Sequence, residues 1–196
     1  MIGHRFVKTG IVLSLLTVAT ARPATAEVIT ILRGTFVSDR GEWGGSLDIE
    51  GNRGFTLEAD ALLGFFGAFN ACSVPECPPG TVVEINAGWS GNDLPGTATL
   101  RGKTYPDVGG HSTWNSAFIR FSGQITMPPM AEGPVSITAP FDFAGRFTYS
   151  PDLSSPSEAL LTGGGVVTFL LEPYPDGTNT SWIVRRAEFD FRPVKR

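Results

Sequence analysis

Along most of this chain apolar and polar residues alternate one for one, and that period limits what the chain can become. Phe141, Phe143, Phe147 and Tyr149 share one parity, with Asp142, Arg146 and Thr148 on the other. Phe55, Leu57, Ala59 and Ala61 interleave with Thr56, Glu58 and Asp60. Ile119, Phe121, Ile125 and Met127, then Ala187, Phe189 and Phe191, repeat the pattern. A period of two sends each apolar set to one face of a strand and each polar set to the other. One dry face and one wet face is the antiparallel signature. Helical periodicity is nearly absent, and the 24 Gly and 15 Pro are spread throughout.

The pattern predicts strands near residues 28–37, 45–50, 54–62, 81–89, 96–101, 117–127, 135–139, 141–150, 160–171 and 181–192. Turn chemistry separates them, as in Glu50-Gly51-Asn52-Arg53-Gly54, Asn92-Asp93-Leu94-Pro95-Gly96 and Pro175-Asp176-Gly177. About ten short antiparallel strands predict an all-β fold. A two-sheet β-sandwich is the expectation. A closed or partly closed β-barrel is the alternative, disfavoured because the connections 64–80 and 102–115 are long for an up-and-down meander. The segments 32–37 and 143–148 resemble each other, as do 47–57 and 159–169, which hints at a strand and glycine-linked hairpin used twice.

The first 26 residues read differently. His4, Arg5 and Lys8 make a cationic start, residues 11–21 are apolar, and Ala24-Thr25-Ala26 is a small-x-small end. That is the layout of a secretory signal. The apolar run has 11 residues, against roughly 20 for a membrane span. The expectation is a signal at 1–26, a single all-β domain at 27–196, and a product that is periplasmic or extracellular and soluble after cleavage. The texture resembles that of exported bacterial proteins, a likeness of style that carries no site residues. The chain ends in Phe191-Arg192-Pro193-Val194-Lys195-Arg196, without an apolar sorting tail.

Removing Arg5, Lys8 and Arg22 leaves 12 basic residues against 19 acidic ones, a net charge of −7. An acidic surface argues against nucleic acid, whose phosphates need clustered Lys and Arg, and against anionic lipid. Cys72 and Cys77 are expected to pair in an oxidising compartment and stiffen a short loop. No cofactor or metal is indicated. A transition-metal site wants several His or Cys ligands, and the mature chain keeps one histidine, His111.

That histidine lies in a Gly-rich loop with Tyr105, Asp107, Trp114 and Asn115. The loop gathers an acid, an imidazole, an amide and two large rings, so it is the candidate ligand-binding site; the plain alternative is a polar surface loop. Phe65, Phe66 and Phe69 belong to an apolar run that does not alternate. They suggest either a segment buried on both faces or an apolar lip. No Gly-x-Ser-x-Gly elbow is present. The strand carboxylates Glu58, Asp60, Glu84, Glu172, Glu188 and Asp190 alternate with apolar residues and read as outer-face charges.

The resulting expectation is a non-catalytic binding or cell-envelope component rather than an enzyme. Its ligand would be a carbohydrate or a small apolar molecule, and flat rings from Trp43, Trp89, Trp114 or Trp182 would serve a sugar. A barrel-like carrier of a small apolar ligand and a hydrolase acting on polysaccharide or ester are the other readings.

Overall fold

The structure, a computed structural model, describes residues 26–39, 45–60, 79–90, 96–109, 115–129, 132–151, 156–176 and 179–193. Ten strands occupy them: β1 (Glu27–Asp39), β2 (Gly45–Gly51), β3 (Phe55–Asp60), β4 (Val82–Ser90), β5 (Gly96–Leu100), β6 (Lys103–Val108), β7 (Ser116–Thr126), β8 (Val135–Tyr149), β9 (Ser157–Asp176) and β10 (Asn179–Phe191). A single 3₁₀ turn, Asn52–Gly54, joins β2 to β3. The fold is all-β, and no helix among the described residues is long and apolar enough to cross a membrane.

Hydrogen bonding runs through one sheet in the order β4-β7-β8-β9-β10-β1-β2-β3-β5-β6. The pairings are antiparallel except for Glu27–Thr30 of β1, which run parallel to Ala159–Thr162 of β9. This sheet turns back on itself. Strands β7 and β1 are at least three strand steps apart, about 14 Å in a flat sheet, yet the rings of Phe36 and Phe121 stack at 5.1 Å. Phe55 of β3 meets Phe147 of β8 at 5.6 Å in the same way. The two layers of the sandwich are therefore halves of one continuous sheet rather than two separate sheets. The sheet terminates at β4 and β6 and does not close, so the barrel alternative is not realised.

Parity decides what fills the space between the halves. Phe121, Phe143 and Phe189 are all buried, as are Ile119, Phe141, Phe147 and Phe191. The centre is a run of rings: Phe121 lies 4.4 Å from Phe189 and 5.4 Å from Phe143, and Phe143 lies 4.9 Å from Phe191. Burying each ring contributes about 1.5–3 kcal/mol, and a well-placed aromatic pair adds about 0.5–1.5 kcal/mol.

One feature organises the middle of the sheet. The end of β10 wedges between β9 and β1, which are directly paired only below it, so the three strands form a fork. At the crotch Phe191 stands between two glycines, Gly165 on β9 and Gly34 on β1. A Cβ on Gly165 would lie 2.0 Å from the Asp190 carbonyl oxygen. A Cβ on Gly34 would lie 2.2 Å from that of Asp48, and Gly34 has φ +131°. Only glycine lets β9 approach β10, and β1 approach β2, this closely.

Pro140 lies inside β8, where the pattern predicts a break between two strands. The pairing of β8 with β7 reaches only from Thr148 to Phe141, so Pro140 sits where β8 is an edge and its missing N–H costs no ladder bond. The hinted repeat diverges in its second copy. Residues 47–57 make a hairpin, whereas residues 159–169 run straight through as β9.

Candidate functional site

Two Arg-Gly pairs sit at tight turns at one end of the fold. Arg101 (φ 53°) and Gly102 (φ 79°) are the central residues of the β5–β6 hairpin. Positive φ at both positions is the type I′ pattern that matches strand twist. Arg53 (φ 61°) and Gly54 (φ 66°) repeat the combination between β2 and β3. The turns abut, with the Arg101 amide donating to the Gly54 carbonyl at 3.2 Å. The Thr30 amide donates to Asn52 Oδ1 at 3.0 Å and ties the second turn to β1. Holding a non-glycine residue in the left-handed region costs about 1–2 kcal/mol, and such strain clusters at functional sites.

Both arginines reach one carboxylate. Glu27, the first residue of β1, accepts a hydrogen bond from Arg101 Nη2 at 2.7 Å and lies 3.3 Å from Arg53 Nε. The Glu27 side chain is only 15 % exposed, whereas those of Arg53 and Arg101 are 55 % and 62 % exposed. The arginines thus keep donors free toward solvent. They border a hollow of about 840 Å³ whose other walls include Ala26, Tyr149 and Ser157.

Behind that hollow lie paired tyrosines. Tyr149 stacks on Phe147 at 5.1 Å and meets Tyr105 edge-on at 5.2 Å. Lys103 Nζ stands 5.4 Å from the centre of the Tyr105 ring and donates to the Pro151 carbonyl. Burial pushes both phenols above their ordinary pKa. The Glu27 carboxylate raises Tyr149 further, Tyr149 raises Tyr105 further, and Arg101 opposes both shifts. A phenol that holds its proton more tightly when folded contributes stability that is whole below about pH 10 and is lost as pH climbs through the folded-state values. Thermal unfolding from pH 8 to 12 should therefore show Tm falling above about pH 10. The double variant Tyr105→Phe/Tyr149→Phe should fall less steeply, and identical slopes would refute this assignment.

The loop residues singled out from sequence separate in space. Tyr105 is 5 % exposed and belongs to the core. It supports Tyr149 from behind and presents no ring to solvent. Asp107 is exposed at the end of β6 on left-handed backbone, φ 55°. Asn115 is half-buried and already committed. Its Nδ2 donates to the Pro106 carbonyl at 3.1 Å, its Oδ1 accepts from the Ser150 amide at 3.4 Å, and its carbonyl accepts from the Gly109 amide at 3.2 Å. Asn115 thus pins the two ends of the loop to each other and to the end of β8. His111, Trp114, Phe65, Phe66, Phe69, Cys72 and Cys77 lie outside the described residues, as do Trp43 and any bridge between the cysteines. Trp182 is half-buried against the core.

Glu27, Arg53, Arg101 and Tyr149 were not marked by any motif. Their one signal is the Arg-Gly pair repeated at two turn positions, and only the pair at Arg53 reads as a turn from sequence. Of the strand carboxylates, Glu58 and Glu84 are exposed, and Glu172 pairs with Arg185, Glu188 with Arg186 and Asp190 with Arg192; the Asp60 side chain lies outside the described residues. Exposed pairs of this kind contribute about 0–1 kcal/mol each. No three His, Cys, Asp or Glu side chains gather among the described residues. No family model, curated protein or solved structure matches the chain.

Proposed function

We propose that this chain is an exported, non-catalytic binding protein that holds a small organic anion at the Glu27–Arg53–Arg101–Tyr149 hollow. One observation carries the reading: two arginines, each on strained left-handed backbone, converge on a single carboxylate and leave their outer N–H groups facing a hollow. Its volume of about 840 Å³ falls within the roughly 300–1,000 Å³ of small-molecule sites. Glu158 also lines the hollow but lies 3.6 Å from Arg146, so three guanidiniums stand against two carboxylates and leave a local positive excess on an acidic protein, which favours a carboxylate or phosphate ester. The Tyr149 phenol keeps its proton through neutrality and offers an O–H donor.

The same groups argue for binding rather than turnover. Arginine does not release its proton, and Glu27 is engaged by both guanidiniums. Export is supported by the residues at the chain's start. The strand that carries Glu27 begins immediately after Ala26, where the secretion pattern ends.

The test is calorimetric titration of the full chain with citrate, glucose 6-phosphate and galacturonate, with glucose as the neutral control. At least one anion should bind and glucose should not. The variant Arg53→Gly/Arg101→Gly relieves the left-handed strain while removing both charges. Its folding is checked by Tm, and its anion affinity should fall tenfold or more, as expected for charged hydrogen bonds worth about 1.5–3 kcal/mol. Undiminished binding by that variant, or no binding by any anion, would refute the proposal.

A further inference from the structure

We infer that the protein carries a second ligand seat, independent of the first: a trough across the outer face of β7, β8, β9 and β1 that takes a short neutral oligosaccharide. Strand register assembles it. One row of outward positions runs Ser122, Asp142, Gly164. The next runs Arg120, Ala144, Thr162, Thr30. In the centre Gly164 has no side chain and Ala144 only a methyl, so the surface is low between longer neighbours. Two hollows result, of about 520 and 610 Å³, and they share Asp142 as a common wall. Arg120, Ser122 and Gln124 line the first, and Thr30 and Thr162 line the second. With the flank of β4 the trough crosses five strands, about 19 Å at the usual strand spacing.

The chemistry of the walls selects the occupant. The lining carries Glu84 and Asp142 against Arg120 and Arg192, two charges of each sign. A trough with no charge excess favours a neutral ligand. Its hydroxyls and amide both donate and accept, which suits a polyol. The rim is apolar. Phe118 (51 % exposed), Leu160 and Val28 lie along the next row, interrupted by Arg146. An exposed ring and aliphatic side chains beside hydrogen-bonding groups match a sugar, which presents C–H faces and hydroxyl edges. A peptide strand is disfavoured, because the backbones of β7, β8 and β9 here are already paired on both sides and offer no free edge for strand addition.

The test titrates the full chain with neutral cello-, malto-, xylo-, laminari- and manno-hexaose, followed by amide NMR shifts or calorimetry. At least one should bind at micromolar to millimolar concentration. Binding should weaken tenfold or more in Phe118→Ala and in Asp142→Ala, both surface changes whose folding is checked by Tm. Arg53→Gly/Arg101→Gly should leave it unchanged, which separates this seat from the anion hollow. Silence across the panel, binding that survives both trough variants, or a preference for an acidic oligosaccharide over its neutral counterpart would each overturn the inference.

Discussion

Gly165→Ala is expected to leave the protein unfolded, or to cost about 4 kcal/mol or more in urea denaturation. The added methyl would lie 2.0 Å from the Asp190 carbonyl oxygen and 3.0 Å from a ring carbon of Phe141. The first neighbour is backbone and cannot rotate away. Nor can β10 retreat as a body, because β1 closes on its other side and Gly34 there is under the same restriction from Asp48. The control is Gly133→Ala, where nothing lies within 4 Å and φ is ordinary; its change should be within about 0.5 kcal/mol. If the two variants unfold at the same urea concentration, the fork is not as tight as described.

Phe121→Ala should be the most damaging truncation in the core, costing about 3–5 kcal/mol. Its ring is fully buried and contacts Phe36, Phe141, Phe143, Phe189 and Phe191 at centroid distances from 4.4 to 6.0 Å. Those partners come from β1, β8 and β10, so they are held by separate strands and cannot collapse together into the void. A domain of this size has about 5–15 kcal/mol in total, and each kcal/mol shifts Tm by about 2–4 °C. A Tm drop of about 6–20 °C is therefore expected. Phe118→Ala, three positions earlier on the exposed face, should move Tm by no more than about 2 °C.

These contrasts show which parts of the fold were legible in the sequence. Phe118 and Phe121 are the same residue type in the same strand, and parity alone separates the wet one from the dry one. Parity is local, so it survives in the sequence, and nine of the ten strands lie where alternation places them. β6 is the exception: Lys103–Val108 contains Pro106 and shows the irregular burial of a sheet edge, so no clean period marks it. Pro140 misleads for a related reason. A proline breaks a strand only if its missing N–H faces a partner, and which side of β8 has a partner is a matter of topology. The fork at Phe191 is also topological. Gly34, Gly165 and Phe191 are far apart in sequence, and no local pattern brings them together.

The candidate site was less legible. Loop composition points to Tyr105, Asp107 and Asn115, yet Tyr105 serves the core and Asn115 spends its amide on backbone groups. The charged cluster is assembled from Glu27, Arg53 and Arg101, which meet only because β1, β2–β3 and β5–β6 end at the same place. A salt bridge spanning 74 positions, as between Arg101 and Glu27, has no sequence signature.

The interlock of first and last strands also constrains how the molecule comes into being. One edge of β1 is covered by the adjacent β2, but the other gains its partners along residues 159–162 and 186–191 only after most of the chain exists. A polypeptide that emerges N-terminus first, from a ribosome or a translocation channel, cannot close this architecture as it goes. Its opening strand can pair with β2 at once, but the other edge must wait, uncovered, for the final stretch to arrive. Such high contact order slows folding and prolongs exposure to aggregation, and it makes completion of the C-terminal end the event that commits the whole sheet.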